Sequence, residues 1–300
     1  MNTNYQILPF RFARFNESEC LLTNDVGEYI FLKNDVFDDF VNHRLDVNSD
    51  VFQDIASKQI ATTDDVKDVV NMLATKFRTK KSILRDFTTL HMVVPTLRCN
   101  SSCIYCQVAR KNMDDHEADM TKETAKNTVK AIMQSPSPVI KIEFQGGDPS
   151  TYFEMVKYII EEAEWQNLFK KKDLGFVICT NVTLLTPDMV KYLKKHKCDI
   201  STSLDGYREL HNTNRPFQDT DHTHERFEEN IKMIRDICGK ASVSALMTTS
   251  KYSLGHFKEI IDEYVRMGYN NIFLRSLNPY GFAKQYKEKI AYPIEDFIEN

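Results

Sequence analysis

The sequence predicts an α/β protein, an open partial (β/α)6 barrel preceded by a small α+β domain of winged-helix-like pattern. From about residue 90 onward, apolar strand-like runs alternate with helix-like stretches, which indicates parallel βαβ units with right-handed crossovers. Six such strands in about 210 residues are too few for a closed eight-stranded barrel. Residues 1–85 follow a different pattern. A doubly wound sheet stays open as an alternative, because periodicity alone does not distinguish it from an open barrel.

The N-terminal segment predicts short strands followed by helices. Strands are expected at Tyr5–Arg14, Glu19–Thr23 and Glu28–Leu32, and the last two are joined as a hairpin across residues 24–27. Three helices follow, at Asp35–Asn42, Asp50–Ser57 and Asp64–Phe77. In the last of these the apolar residues recur at helical spacing, which predicts one buried face.

The second part of the chain predicts six strands with helices between them. The strands are expected at Met92–Thr96, Val139–Phe144, Gly175–Cys179, Asp199–Leu204, Ala241–Met247 and Asn271–Leu274. The helices are expected at Lys122–Met133, Phe153–Trp165, Pro187–Lys195, His224–Ile237 and Leu254–Arg266. Strands of this apolar kind, each followed by a helix, are typical of a parallel sheet that is covered by helices.

The unusual motifs of the chain all follow predicted strands. A cysteine loop follows the first strand, residues 146–149 (GGDP) follow the second, Thr180-Asn181 follows the third, and residues 203–206 (SLDG) end the fourth. In parallel α/β folds ligands bind beyond the carboxyl ends of the strands. The four motifs are therefore expected to share one site.

The cysteine loop predicts a metal centre. Cys99, Cys103 and Cys106 are separated by three and two residues, so their thiolates can reach one soft metal centre from a single loop. Three thiolates leave one coordination position open, which catalysis at a metal requires. Two alternatives stay open from the residues alone: a zinc site completed by His91 or His116, and loop cysteines without a ligand role.

Composition excludes several functional classes. Hydrophobic residues make up 42% of the chain and charged residues 27%, as in ordinary globular proteins. The net charge of −4 and the shortness of the basic runs argue against nucleic-acid binding. No apolar run has membrane-spanning length, and no signal-peptide layout is present, so no membrane partner is expected. Seven cysteines, three of them clustered, favour a reducing compartment, and we expect a cytoplasmic protein.

The cysteine motif, with Tyr105 directly before Cys106, resembles the signature of the radical S-adenosylmethionine (SAM) superfamily. The resemblance implies that the three cysteines hold a [4Fe–4S] cluster and that SAM occupies the fourth iron. It also implies a partial (β/α)6 barrel of the radical SAM type and one-electron cleavage of SAM to a 5′-deoxyadenosyl radical.

The other motifs resemble SAM-binding segments of the same superfamily. Gly146-Gly147-Asp148-Pro149 is similar to its Gly-Gly-Glu-Pro motif, whose backbone contacts the SAM amino group, although Asp148 replaces glutamate. In the SLDG segment the resemblance implies that Ser203 contacts the ribose and that the later Arg215 approaches the methionine carboxylate, for which its planar donors are suited.

The segment after the third strand, TNVTLL, is similar to Thr-Asn-Gly-Thr-Leu-Leu in the superfamily, with Val182 in place of glycine. Asn181 either contacts SAM or forms the turn. Arg275, Asn278 and Tyr280 follow the sixth strand and are expected near adenine or substrate.

The order of the motifs resembles that of the sulfatase-maturase-like, SPASM-type branch, which modifies ribosomally made peptides. The sequence around the three cysteines is most similar to that of the His-Xaa-Ser system maturases. This implies a peptide or protein substrate, an electron donor of the flavodoxin or ferredoxin type, and a partner maturase. Those maturases continue into a region of auxiliary clusters, so a truncated chain is expected. Residues 1–85 resemble leader-peptide recognition domains, with a plain cap as the alternative, and residues 86–300 form the expected radical SAM core.

We therefore predict a radical SAM enzyme that abstracts hydrogen from a ribosomally made peptide during its maturation. No acidic or basic catalytic residue is predicted, since the first hydrogen abstraction needs none. Two other functions stay open: a radical SAM enzyme that acts on a small molecule, and a zinc-binding interaction module without catalysis.

Overall fold

The computed structural model describes residues 2–217 and 222–299. The chain divides into two compact units, Met1–Phe87 and Thr88–Asn300. Each unit has a hydrophobic core of its own. Within the described residues, no helix is both long and apolar enough to cross a membrane.

The first unit combines two small antiparallel sheets with three helices. Its strands are β1 (Gln6–Ile7), β2 (Arg11–Arg14), β3 (Glu19–Thr23), β4 (Tyr29–Lys33) and β5 (Ala61–Thr62), and its helices are α1 (Asn34–Val41), α2 (Asp50–Ser57) and α3 (Val66–Lys80). The sheet order is β2-β3-β4 in one sheet and β1-β5 in the other. The predicted hairpin is present as β3 and β4, with Leu22 opposite Ile30.

One predicted strand of this unit is wrong. The strand expected over Tyr5–Arg14 is two strands in different sheets, and residues 8–10 between them belong to neither. Pro9 lies at the break and has no backbone N–H to donate to a neighbouring strand.

The second unit is a six-stranded, all-parallel sheet with helices between consecutive strands. The strands are β6 (Leu90–Thr96), β7 (Val139–Gly146), β8 (Asp173–Cys179), β9 (Cys198–Ser203), β10 (Val243–Thr248) and β11 (Phe273–Arg275). The helices are α4 (Lys122–Ile132), α5 (Phe153–Lys170), α6 (Pro187–Lys195), α7 (Arg208–Asn214), α8 (Thr223–Cys238), α9 (Phe257–Arg266), α10 (Lys287–Ile290) and α11 (Ile294–Glu299). The short helix α7 is not predicted from the sequence.

Strand order decides between the two predicted architectures. The strands neighbour one another in chain order from β6 to β11, so the winding never changes direction. A doubly wound sheet reverses its order at a switch point, whereas a barrel winds continuously. The open partial barrel is therefore confirmed.

The two faces of the strands have different environments. On β7, Ile140, Ile142 and Phe144 are fully buried in the core that the helices cover. The intervening Glu143 and Gln145 are half-buried and face the other way, into the barrel. This register places polar side chains on the inner wall, below the ends of the strands.

Candidate active site

A cavity of about 190 Å³ lies at the carboxyl ends of the parallel strands. It is bordered by the loops that follow β6, β7 and β8 and by the last residues of β9, β10 and β11. All ten residues predicted for the site line it: Cys99, Cys103, Tyr105, Cys106, Gly146, Gly147, Asp148, Asn181, Ser203 and Arg215. The structure thus brings together segments that lie far apart in the sequence.

The cysteine loop is closed at its base by backbone hydrogen bonds. Lys111 donates its N–H to the carbonyl of Leu97 at 2.7 Å, and Cys99 donates to the carbonyl of Lys111 at 3.2 Å. Cys99 is buried, while Cys103 and Cys106 are half-buried and face the cavity. Three thiols from one closed loop therefore surround one space.

Neither histidine of the zinc alternative joins these thiols. The Nε2 atom of His91 is 3.0 Å from the carbonyl of Thr88, and Nδ1 of His116 is 2.8 Å from Asp119. Both side chains lie outside the cavity lining. Across residues 2–217 and 222–299, no three His, Cys, Asp or Glu side chains are close enough to hold one metal ion. A four-iron cluster binds its thiolates through separate irons, so three cysteines without a histidine fit such a cluster.

Burial keeps two of the loop thiols protonated in the absence of metal. It raises the pKa of Cys99 far above the usual range for a thiol. It also raises the pKa of Cys103 to about 11, although the neighbouring Arg215 charge opposes that rise. Coordination to iron removes the thiol proton, so metal binding here releases protons.

The glycine pair allows the loop after β7 to pack against the start of the cysteine loop. A Cβ on Gly147 would lie 2.3 Å from the carbonyl oxygen of Arg98, and one on Gly146 would lie 2.4 Å from that of Thr96. Gly146 also has a φ of +126°, which side chains disfavour. Asp148 then donates its N–H to the carbonyl of Arg98 at 2.7 Å. No residue larger than glycine fits at these two positions without moving the end of β6 or the start of the cysteine loop.

Asp148 is a buried carboxylate that the chain itself surrounds with donors. It accepts hydrogen bonds from the N–H and Oγ of Ser150 at 2.9 and 2.6 Å. It also accepts from Oγ1 of Thr180 at 2.8 and 2.9 Å and from the N–H of Asn181 at 2.8 Å. Burial raises the pKa of Asp148, and these hydrogen bonds lower it again only in part. Asp148 thereby joins the loop after β7 to the loop after β8.

Asn181 continues this connection to the cysteine loop. Its Nδ2 donates to Oδ1 of Asn100 at 2.7 Å and to Oγ of Ser101 at 2.9 Å, and its Oδ1 accepts from Thr183. Asn181 lines the cavity, as expected for either of its two predicted roles, contact with SAM or formation of the turn. The observed bonds show that its side chain organises the turn and holds the loop between Cys99 and Cys103.

Val182 adopts the left-handed backbone conformation that the similar motifs reserve for glycine. Its φ is +61°, which is a true outlier for a β-branched residue. The side chain is fully buried, and the carbonyl accepts a hydrogen bond from Asn230 at 2.7 Å. The turn therefore has the glycine-type geometry despite the valine.

Tyr105, Asp205 and Arg215 form a buried cluster beside the cysteines. The Tyr105 hydroxyl and Nε of Arg215 both donate to Oδ2 of Asp205, the latter at 3.0 Å. The Arg215 guanidinium lies 5.2 Å from the centre of the Tyr105 ring. Burial disfavours the charged form of Arg215, but the Asp205 carboxylate raises its pKa above the ordinary value. Arg215 is therefore a permanent positive charge at the cavity.

Asp205 of the SLDG segment and the nearby His211 lie outside the cavity lining. Asp205 and His211 are almost completely buried, and Nδ1 of His211 is 3.4 Å from the backbone N–H of Asp205. Burial lowers the pKa of His211 far below its usual range, so the ring is neutral. Their contact joins the turn after β9 to helix α7.

The far wall of the cavity includes two of the three residues expected there after the sixth strand. Arg275 and Asn278 line it, whereas Tyr280 does not and is 68% exposed. Nη2 of Arg275 donates to Oε1 of Gln107 at 2.7 Å. Gly281 packs directly against the backbone of Gln107, because a Cβ at this position would lie only 2.5 Å from it. The segment after β11 thus packs on the end of the cysteine loop, a contact with no local sequence signal.

The inner wall below the cavity carries a polar group of three side chains. Gln145 donates to Glu143, and the Cys179 thiol lies 3.5 Å from both of them. Burial, with Glu143 as the second cause, raises the pKa of Cys179 to about 12. At neutral pH this thiol is protonated and faces the same cavity as the three loop cysteines.

The fold and site together define a class: a partial-barrel protein with a three-cysteine metal centre where its strands end. The sequence model of the radical SAM superfamily matches residues 93–264, and the chain belongs to that superfamily. Its members are enzymes that use a [4Fe–4S] cluster and SAM. The cofactors predicted from the cysteine motif are thereby confirmed, and the alternative of a zinc-binding interaction module is not supported.

Known relatives resemble the chain over much of its length. A cysteine-type anaerobic sulfatase-maturating enzyme of Clostridium perfringens is 25% identical over 226 residues, which are 67% of this chain and 58% of that protein. The radical SAM cyclopropyl synthase TigE of Paramaledivibacter caminithermalis is 22% identical over 216 residues, 67% of this chain and 43% of TigE. The chain thus matches about half the length of these two curated relatives.

A solved structure shows the same fold over nearly the whole chain. Streptococcus suis SuiB, bound to its precursor peptide SuiA, aligns with 99% of this chain and 67% of its own, with a TM-score of 0.53 and 15% identity. At this identity the likeness concerns the fold alone.

Proposed function

We propose that this chain cleaves SAM reductively and uses the resulting radical to abstract hydrogen from a ribosomally made peptide during its maturation. The observation that carries the proposal is the convergence of the three cysteines, the glycine pair and Arg215 on one cavity at the ends of the parallel strands. A site of this kind orients two reactants and excludes water from a reactive intermediate.

The chain's own residues hold and orient the reactants. Cys99, Cys103 and Cys106 bind the [4Fe–4S] cluster, which when bound supplies the electron that splits SAM into methionine and a 5′-deoxyadenosyl radical. Gly147 and Ser203 line the wall where SAM is held, and Arg215 supplies positive charge there. The electron comes from a donor of the flavodoxin or ferredoxin type.

Two observations support a peptide as the substrate. The similar sulfatase-maturating enzyme acts, by its name, on a protein, which agrees with the peptide- and protein-modifying branch that the motifs resemble. In addition, the first unit offers an open sheet edge: among the residues that the structure describes, β2 pairs with β3 alone, and its four residues are exposed. An extended peptide can add to such an edge through backbone hydrogen bonds.

The reaction is tested with oxygen-free, iron- and sulfide-reconstituted protein. We expect about four irons per chain, an EPR signal that changes when SAM is added, and 5′-deoxyadenosine by mass spectrometry after reduction with dithionite. Cys99→Ala should abolish all three. Cys238→Ala is the matched control, because this thiol lies in the same unit but away from the cavity. Absence of 5′-deoxyadenosine from iron-loaded protein would refute the proposal.

Peptide capture is tested on the open edge of β2. Phe15 donates its N–H to the carbonyl of Glu19, toward β3. Successive N–H groups of a strand point to opposite sides, so the N–H of Arg14 points away from β3, toward the open edge. Arg14→Pro removes that outward donor, whereas Arg14→Ala removes only the side chain. With synthetic peptides from short reading frames beside the gene, we expect Arg14→Pro to weaken binding at least tenfold and Arg14→Ala to leave it unchanged. Equal binding by both variants would show that the peptide does not add to this edge, and absence of binding by the unsubstituted protein would favour a small-molecule substrate.

A further inference from the structure

The cysteine loop pairs with a second segment of the chain in a strand-like way. Ser101 and Phe217 form an antiparallel bridge. In the same register, Ser102 donates its N–H to the carbonyl of Pro216 at 2.7 Å, and Ile104 donates to that of Asn214 at 3.0 Å. Residues 101–104 are thus paired with residues 214–217, although neither segment is part of the parallel sheet.

This register sets Cys103 opposite Arg215. The pairs on either side of them carry the hydrogen bonds, so Cys103 and Arg215 form a non-hydrogen-bonded antiparallel pair. Side chains of such a pair point to the same face and are closer than those of hydrogen-bonded pairs. Both residues line the cavity, as this geometry requires.

The guanidinium is held in place from two sides. Asp205 accepts its Nε–H at 3.0 Å, and the Tyr105 ring lies beneath it at 5.2 Å. Tyr105 lies in the turn that follows the paired segment and lines the same cavity. The Arg215 side chain is only 11% exposed, so water screens its charge poorly.

We propose that Arg215 is a positioning residue whose fixed charge, held opposite Cys103 by this pairing, sets the reduction potential of the cluster. The inference rests on the proposed function. A buried positive charge next to a cluster ligand favours the reduced, more negative form, and charge and hydrogen bonding around the sulfurs tune such potentials. Asp205 lies behind Arg215, to which it is hydrogen-bonded, and its negative charge lowers the reduction potential of the cluster.

The test is an EPR-monitored redox titration of reconstituted protein and variants. Arg215→Gln should shift the midpoint potential to more negative values, because it removes the positive charge. Asp205→Asn should shift it to more positive values, because it removes the negative one. Arg215→Lys keeps the charge and should return the potential close to that of the unsubstituted protein. Structural damage alone does not produce shifts of opposite sign.

Arg235→Gln is the matched control. This arginine also stacks on a tyrosine, with its guanidinium 4.6 Å from the centre of the Tyr269 ring, but it lies away from the cavity. We expect no change of potential from it.

Shifts of equal sign for Arg215→Gln and Asp205→Asn, or no shift for either, would overturn the inference. If Arg215→Gln binds no iron, Asp205→Asn alone must still move the potential upward. Unsubstituted protein that loads no cluster would instead refute the proposed function.

Discussion

Asp148 provides a direct test of how this site is built, because the motif resemblance and the structure suggest different partners for its loop. The resemblance places the loop against the SAM amino group. The structure surrounds the Asp148 carboxylate with donors from Ser150, Thr180 and Asn181. We therefore expect substitution of Asp148 to reduce the stability of the folded protein, and SAM affinity only as a consequence.

The expected magnitude follows from the donors left without an acceptor. In Asp148→Asn the side-chain NH2 replaces the carboxylate oxygen that accepts from Thr180 and Asn181. The Thr180 hydroxyl can rotate and accept a hydrogen bond from this NH2, but the N–H of Asn181 cannot. One buried N–H then loses its partner, at a cost of about 1–3 kcal/mol in the free energy of unfolding. Asp148→Ala removes the acceptors of two backbone N–H groups, those of Ser150 and Asn181, and costs about 2–6 kcal/mol.

The assay is equilibrium urea unfolding of the metal-free protein, combined with measurement of SAM binding to the reconstituted protein. Asp188→Asn is the control, because this carboxylate lies on α6, beyond the same loop, with 93% of its side chain exposed. A surface change of this kind costs less than about 0.5 kcal/mol. If Asp148→Asn unfolds at the urea concentration of the unsubstituted protein while SAM affinity falls, the carboxylate acts on the ligand and the reasoning fails.

Two other predictions concern the loops around the site. Val182→Gly should be more stable than Val182→Ala by about 1 kcal/mol in urea unfolding, because only glycine relieves the positive φ while both variants lose the buried side chain; the opposite order would contradict the strain. Asp119 pairs with the buried Arg98 at 2.9 Å, and despite its burial the hydrogen bonds of Arg98, Thr96 and His116 hold its pKa below the usual value. The folded protein therefore binds the Asp119 proton less readily than the unfolded chain does. The extra stability over Asp119→Asn should be constant from neutral pH down to about pH 5 and decline below it, because the unfolded-state carboxyl titrates at about 3.9 and the folded-state one lower. A stability difference that stays constant to pH 2 would show that the pair does not depress this pKa.

Local sequence patterns predict the metal centre and most strands and helices of the second unit. The spacing of Cys99, Cys103 and Cys106 identifies the metal centre, because ligands that close together in sequence reach one centre in almost any loop conformation. The periodicity of the second unit predicts its strands and the helices between them to within a few residues, and Pro187 marks the first turn of α6 as expected. Such features depend on neighbours within a few residues.

Long-range pairing decided the rest. Periodicity does not reveal the order of the strands, which depends on contacts between elements far apart in the chain. For the same reason the sequence did not show that Asp148 would be bonded to Thr180 and Asn181, or that Glu143 faces the barrel interior.

The sequence by itself therefore determined that this protein has a three-cysteine centre in a strand–helix repeat, since those signals are local. Only the tertiary structure decided that Cys103 lies opposite Arg215, because the two residues are paired through a backbone register between segments more than a hundred residues apart. Hydrogen bonds of this kind form only once the intervening strands and helices have packed.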